Sequence, residues 1–229
     1  MKLIFIHGAG NTGAAWHLQE KHFPGSHAIT LPGHPDGEPL DSIDGYADWV
    51  HDYAGGKNFG PMVLAGHSMG GGIALTCALK YPDEVSGLVL TGTGARLRVN
   101  PEFLNTLREH KDESPAWILR LMEPFCANVE KSVLERVRMR QKDIPAGVYV
   151  NDFQCCDRFD IMERIGEIRV PSLVICGDKD IMTPSKYSRY LADRIPGSRI
   201  AIIPDAGHLV MLEKPDEVNR EIENFLTSL

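Results

Sequence analysis

The sequence predicts an α/β protein built as a doubly wound, mostly parallel sheet of about six strands, with a helical cap inserted into it. Three observations carry this. Short apolar and β-branched runs recur along the 229 residues, helical stretches stand between them, and the alternation breaks over 95–165, where the pattern turns helical throughout. The expected division is a core of 1–94 and 166–229 and a cap of 95–165.

The expected strands are, in order, Lys2 to Ile6, His27 to Leu31, Met62 to Ala65, Leu88 to Leu90, Ser172 to Cys176 and Arg199 to Ile203. Their near-continuous apolar character marks strands covered on both faces, the condition of a parallel sheet between helix layers. Ile73 to Lys80 reads as a helix following the third run. Thr183-Pro184 is expected to act as an N-cap with proline at the first helical position. Lys214-Pro215-Asp216-Glu217 opens a last helix whose Val218, Ile222, Phe225 and Leu226 share one face. Within the cap, helical segments are expected around Pro101 to His110, Ala116 to Met122 and Val129 to Gln141.

Bulk composition narrows the function. A chain of 229 residues with 43% hydrophobic and 24% charged residues can bury one substantial core. The formal charge of −7, with basic residues interspersed among acidic ones, argues against a nucleic-acid role. Arg136, Arg138 and Arg140 fan around a helix and read as a solvated face. The five cysteines (Cys77, Cys126, Cys155, Cys156, Cys176) form no spaced pairs of the zinc-binding kind and fit a reducing compartment. The apolar run at the start is too short for a signal core and no other run reaches membrane-spanning length, so the expected location is cytoplasmic, with no membrane partner.

The chemistry concentrates at the strand ends. Gly66-His67-Ser68-Met69-Gly70-Gly71 lies between an apolar run and a helical stretch. Flanking glycines allow strand and helix backbones to approach where a Cβ would clash, holding a serine hydroxyl above the sheet edge as a nucleophile. A glycine-rich turn with an incidental serine is the alternative, but the context and the two partners downstream weigh against it. A serine needs a base, and the base needs a carboxylate. His208, in Ala206-Gly207-His208 after the last strand, is the expected base among nine histidines. Gly177-Asp178-Lys179-Asp180 offers two acids; Asp180 is preferred because Asp178 adjoins the tight turn, where Asp bonds its own backbone. Asp205 reads as a turn-former and His7 as an organiser of its loop. For the oxyanion, backbone N–H groups of Ala9, in the loop after the first strand, and of Met69, after the nucleophile, are the expected donors.

These pieces together, with Leu31-Pro32-Gly33-His34 after the second strand and Pro184 beyond Asp180, resemble the α/β-hydrolase superfamily over nearly the whole chain. The resemblance implies the same Ser68, Asp180 and His208 triad, the Ala9 and Met69 oxyanion hole and a helical cap. The sequence departs from the pattern in opening at the strand before the His-Gly loop, like the compact methylesterase and hydroxynitrile lyase branch, and in placing Pro35 where many members carry glycine. Relatives that open haloalkanes or epoxides carry aspartate at the nucleophile position, and this chain carries Ser68.

The expected activity is therefore a carboxylesterase-type serine hydrolase acting on small, short-chain esters through an acyl-enzyme. The alternatives are a carbon–carbon bond hydrolase or lyase with the same triad, which arginines such as Arg96, Arg98 and Arg158 would favour by binding a substrate carboxylate, and a non-catalytic ligand receptor. No cofactor and no metal is expected. The pocket is expected to be roofed by Trp117, Leu121, Met122, Phe125 and Phe153 of the cap.

Overall fold

In the computed structural model, which describes residues 2–126 and 128–229, six parallel strands form one sheet in the order β2-β1-β3-β4-β5-β6. They are β1 (Lys2–Ile6), β2 (His27–Ile29), β3 (Met62–His67), β4 (Val85–Thr91), β5 (Ser172–Gly177) and β6 (Arg199–Ile203). Strand β2 is shorter than the run that predicts it, while β3, β4 and β5 are longer. The central strands β3 and β5 are buried along their whole length, which is why their sequences show no alternation.

Alternation reappears as a division between two cores. Ile4 and Ile6 of β1 enter one apolar cluster, Leu3 and Phe5 the other; Met62 and Leu64 of β3 divide likewise from Val63 and Ala65. Successive side chains of a strand point to opposite faces, so one stretch of sequence supplies both layers. On one face the sheet packs against α2 (Ile43–Gly56), α3 (Met69–Lys80) and α8 (Ser185–Arg194). The other face takes α10 (Pro215–Leu226) through Val218, Ile222 and Phe225, beside the short α1 (His17–His22) and α9 (Val210–Glu213). Fully burying one such aliphatic or aromatic side chain contributes roughly 1.5–3 kcal/mol.

Between β4 and β5 the chain runs through α4 (Pro101–Glu109), α5 (Pro115–Leu121), α6 (Lys131–Gln141) and α7 (Ala146–Arg158). Leu104, Leu107, Ile118, Ile144, Val148, Tyr149 and Phe153 give these helices an apolar cluster of their own. Helix α7 carries no sequence signal as clean as its neighbours because Asp152 sits in the middle of its buried face. Its Cys155 and Cys156 join the main core. All five cysteines are free thiols, and four of them are buried.

One expected cap is corrected. The residue before α8 is Pro184, with no side-chain capping bond, and Thr183 does not cap the helix. Its hydroxyl instead donates to Asp180 Oδ2 at 2.7 Å, a charge-assisted bond that commits the side chain to the carboxylate. No helix among the described residues is long and apolar enough to cross a membrane.

Candidate active site

The C-terminal ends of four parallel strands bring the candidate residues to one sheet edge. Ser68 follows β3, Asp180 follows β5, His208 follows β6, and Ala9 lies in the loop after β1. Ser68 stands at φ 51°, ψ −115°, a conformation that side-chain-bearing residues adopt only when their surroundings enforce it, at a cost of about 1–3 kcal/mol. The enforcement is visible. Ser68 N–H donates to the Thr91 carbonyl at 2.9 Å, and the Thr93 hydroxyl donates to the Ser68 carbonyl at 2.7 Å. A Cβ on Gly66 would collide with the Gly70 carbonyl, and one on Gly70 with the Ile6 carbonyl. The glycines on either side of the turn are therefore dictated by backbone contact. Met69 opens α3, where the first N–H groups of a helix have no intrahelical partner.

His208 Nδ1 lies 2.9 Å from Asp180 Oδ2, with both side chains buried. Asp180 is held on every side by donors: Thr183 Oγ1 at 2.7 Å on Oδ2, and the Met182 and Thr183 N–H groups, each at 2.9 Å, on Oδ1. Burial alone would raise its carboxyl, but the His208 charge and these bonds outweigh burial and hold it well below the usual carboxylate range. A permanent carboxylate on Nδ1 assigns the proton to that nitrogen and leaves Nε2 with the lone pair a base requires. Asp178 is exposed and, among the described residues, accepts one long bond, from Ala206 N–H at 3.4 Å. Asp205, at φ 55°, shapes its turn and pairs with Lys179.

Two further histidines surround the site, and both are neutral. His7 donates from Nδ1 to the Gly8 carbonyl (2.9 Å) and accepts the Leu31 N–H on Nε2 (3.0 Å), so it ties two loops together; burial pushes its pKa well down. His67 Nε2 donates to the His208 carbonyl at 3.0 Å, and burial lowers its pKa to about 3. Sequence reading passes over this role, although His67 stands inside the glycine motif, because its partner is 141 residues away.

Two cavities meet at Ser68. The narrow one, of about 40 Å³, is lined by Ala9, Gly10, His67, His208, Leu119 and Met122 among others. The wide one, of about 520 Å³, is lined by Arg96, Arg98, Glu102, Phe103, Ile181 and Tyr187 among others, several of them exposed. Phe125, Phe153 and Met182 border both. Of the expected roof residues, Met122, Phe125 and Phe153 line these cavities, whereas Trp117 and Leu121 line neither. Trp117 is turned into the cap, its indole N–H donating to the His110 carbonyl at 3.2 Å and its ring 4.6 Å from that of His110. Leu121 packs on the cap's own cluster. Arg138 departs from the solvated-face reading: it borders the narrow cavity and lies 3.5 Å from Glu123, while Arg136 and Arg140 are exposed. Arg96 and Arg98 border the wide cavity, but Arg158 is committed to the Asp41 carbonyl.

A third buried group was invisible in the sequence. Asp152 of α7 and His34 of the loop after β2 lie 2.8 Å apart with no exposed surface on either side chain. His34 Nδ1 faces the carbonyls of Leu31 (3.2 Å) and Pro32 (3.0 Å), while Nε2 faces Asp152. Both ring nitrogens address acceptors, so both carry protons and the pair is ionic. Burial lowers the His34 pKa, yet the Asp152 charge and hydrogen bonds raise it by more.

A family model described as "Alpha/beta hydrolase family" matches residues 3–221. A solved structure of a thermophilic esterase is 33% identical, with a TM-score of 0.84 over 99% of this chain and 89% of that one. The (E)-2-((N-methylformamido)methylene)succinate hydrolase of Acinetobacter baylyi is 26% identical over 98% of this chain and 89% of its own length. The pimeloyl-[acyl-carrier protein] methyl ester esterase of Neisseria meningitidis is 27% identical over 92% of this chain and 72% of its own.

Proposed function

The chain belongs to the alpha/beta hydrolase family, and on that premise we propose that it cleaves short-chain carboxylic esters through an acyl-enzyme on Ser68. In this reading His208 Nε2 takes the Ser68 proton as Oγ attacks the ester carbonyl. Asp180 stabilises the imidazolium that forms, and the Ala9 and Met69 N–H groups receive the developing oxyanion. His208 then returns the proton to the departing alcohol, and water repeats the cycle to release the acid. The observation that carries the reading is the 2.9 Å pair of His208 with an ionised Asp180 on the same narrow cavity as the turn-held Ser68.

The two cavities divide the substrate. The alcohol must leave before water can enter, so it belongs on the wide side that reaches solvent. The acyl group stays behind in the narrow cavity. Holding one water takes about 10–15 Å³ of such space, so a cavity of about 40 Å³ suits a short acyl tail.

The test is stoichiometric labelling by an organophosphonate together with turnover of p-nitrophenyl acetate. Ser68→Ala should lose both while keeping its fold. If the variant kept more than about a hundredth of wild-type turnover, covalent catalysis through Ser68 would be ruled out.

A further inference from the structure

The Asp152–His34 pair takes no part in the steps above, yet it touches the loop that feeds the oxyanion. Asp152 Oδ2 accepts the Gly10 N–H at 2.8 Å as well as the His34 proton, across 142 residues of sequence. Tyr46 Oη approaches its other oxygen at 3.5 Å. The cap also holds the far side of the same residue: Gln141 Nε2 donates to the Gly10 carbonyl at 3.1 Å, and the Tyr149 ring occupies the space a Cβ on Gly10 would need. Gly10 sits at φ 60°, where only such grips keep a loop in one conformation.

Ala9 is the link to chemistry. The Gly8 carbonyl accepts from His7 Nδ1 at 2.9 Å and from the Asn11 N–H at 3.3 Å. In a trans peptide the N–H points opposite to the carbonyl, so these two bonds aim the Ala9 N–H. The next peptide, Ala9 to Gly10, is fixed by Asp152. Asn11, whose N–H is one of the two grips on the Gly8 carbonyl, lies just beyond that peptide, so without the Asp152 bond rotation about Ala9 ψ carries Asn11 off and the Ala9 N–H loses its aim.

We propose that Asp152 is a positioning residue for ester hydrolysis: through the Gly10 N–H, the cap holds the Ala9 N–H on the developing oxyanion. This rests on the serine-esterase reading above. It makes the cap part of the catalytic geometry and not only a roof over the substrate. The carboxylate is suited to the task because it lies fully buried against His34 and Gly10, and a charge-assisted bond is roughly twice as strong as a neutral one.

The experiment compares two double variants that both remove the buried charges and so leave none unpaired. His34→Gln/Asp152→Asn keeps an acceptor for Gly10; His34→Gln/Asp152→Leu does not. With p-nitrophenyl acetate the leucine form should lose about 100-fold in kcat with KM within about three-fold, and bind an alkyl boronate about 100-fold more weakly, as loss of an oxyanion donor does. The asparagine form should recover most of both. A general structural role would lower the melting temperature of the two alike without separating kcat from KM. Equal kcat in the two folded forms overturns the proposal. Wild-type protein gives a reading that needs no variant: the Gly10 amide should be protected from hydrogen exchange and shift on boronate binding, and exchange at the rate of an open loop overturns the proposal too. Failure of wild-type protein to be labelled at Ser68 would instead sink the esterase reading itself.

Discussion

Asp180→Asn separates an electrostatic partner from a mere filler, and the surroundings of the carboxylate fix how the amide must sit. Oδ1 receives two backbone N–H groups at 2.9 Å, which cannot reverse. Oδ2 receives the Thr183 hydroxyl and His208 Nδ1, and both of these can: the hydroxyl rotates and the imidazole changes tautomer. The amide therefore places its oxygen at Oδ1 and its NH2 at Oδ2. It then donates to Nδ1, and the ring proton is driven to Nε2, the atom that must accept from Ser68. All polar groups remain paired, so stability should fall by no more than about 1–3 kcal/mol, the range for disturbing a buried bond. Turnover should fall by about 10⁴-fold, the loss expected when a triad imidazole is locked in the wrong tautomer. Asp178→Asn, at an exposed side chain with one 3.4 Å bond, should stay within about three-fold of wild type. The assay is kcat on p-nitrophenyl acetate with melting curves alongside. An Asp180→Asn protein that is folded and retains a tenth of wild-type kcat would refute the tautomer argument.

Three other outcomes are expected. Across p-nitrophenyl esters, kcat/KM should peak at short acyl chains, and Leu119→Ala, which enlarges the narrow cavity, should move the peak outward, with each newly buried methylene adding up to about 0.8 kcal/mol; a rise that continues through long chains in wild-type protein would count against a closed acyl site. The acid limb of kcat/KM should titrate as a single proton, because Asp180 stays ionised far below neutrality and His67 stays neutral down to about pH 3; a slope of two would show another group at work. His34 has a folded pKa above its unfolded value of about 6.5, so its contribution to stability is complete below that pH and is lost as pH rises through the folded value. Calorimetric melting temperatures of wild-type protein should accordingly decline more steeply on the alkaline side than those of His34→Gln/Asp152→Asn, and parallel curves would contradict the ionic pair.

What could be read from the chain, and what could not, divides along the range of the contacts. Strands buried on both faces announce themselves as continuous apolar runs, so the number of strands and their mostly parallel sense were legible, while their order across the sheet was not. The Ser68 turn was legible because Gly66 is demanded by a neighbour only four residues away, Gly70, within one short motif. Trp117 and Leu121 mislead because hydrophobicity marks a residue as buried without saying in which direction, and this cap has a core of its own to fill. Thr183 misleads in the opposite way: Thr before Pro is a sound capping signal, but here the side chain is committed to a carboxylate that its hydroxyl donates to. Asp152 breaks the apolar face of α7 and looks like a solvated position. Only the fold, bringing it within 2.8 Å of residues 34 and 10, explains why a carboxylate is there.

The free thiols turn the protein into its own gauge of opening. Burial pushes Cys126 up to about 11 and Cys155 up to about 12, and raises Cys77, Cys156 and Cys176 as well, so the native fold presents almost no thiolate at neutral pH. Alkylation by iodoacetamide then counts excursions away from the native state. Cys155 and Cys156 ride on α7, whereas Cys77 lies in α3 and Cys176 in β5. If the cap breathes independently of the sheet, the α7 pair will be modified first and at a rate insensitive to the stability of the core. If cap and core open only together, all four will react on one clock.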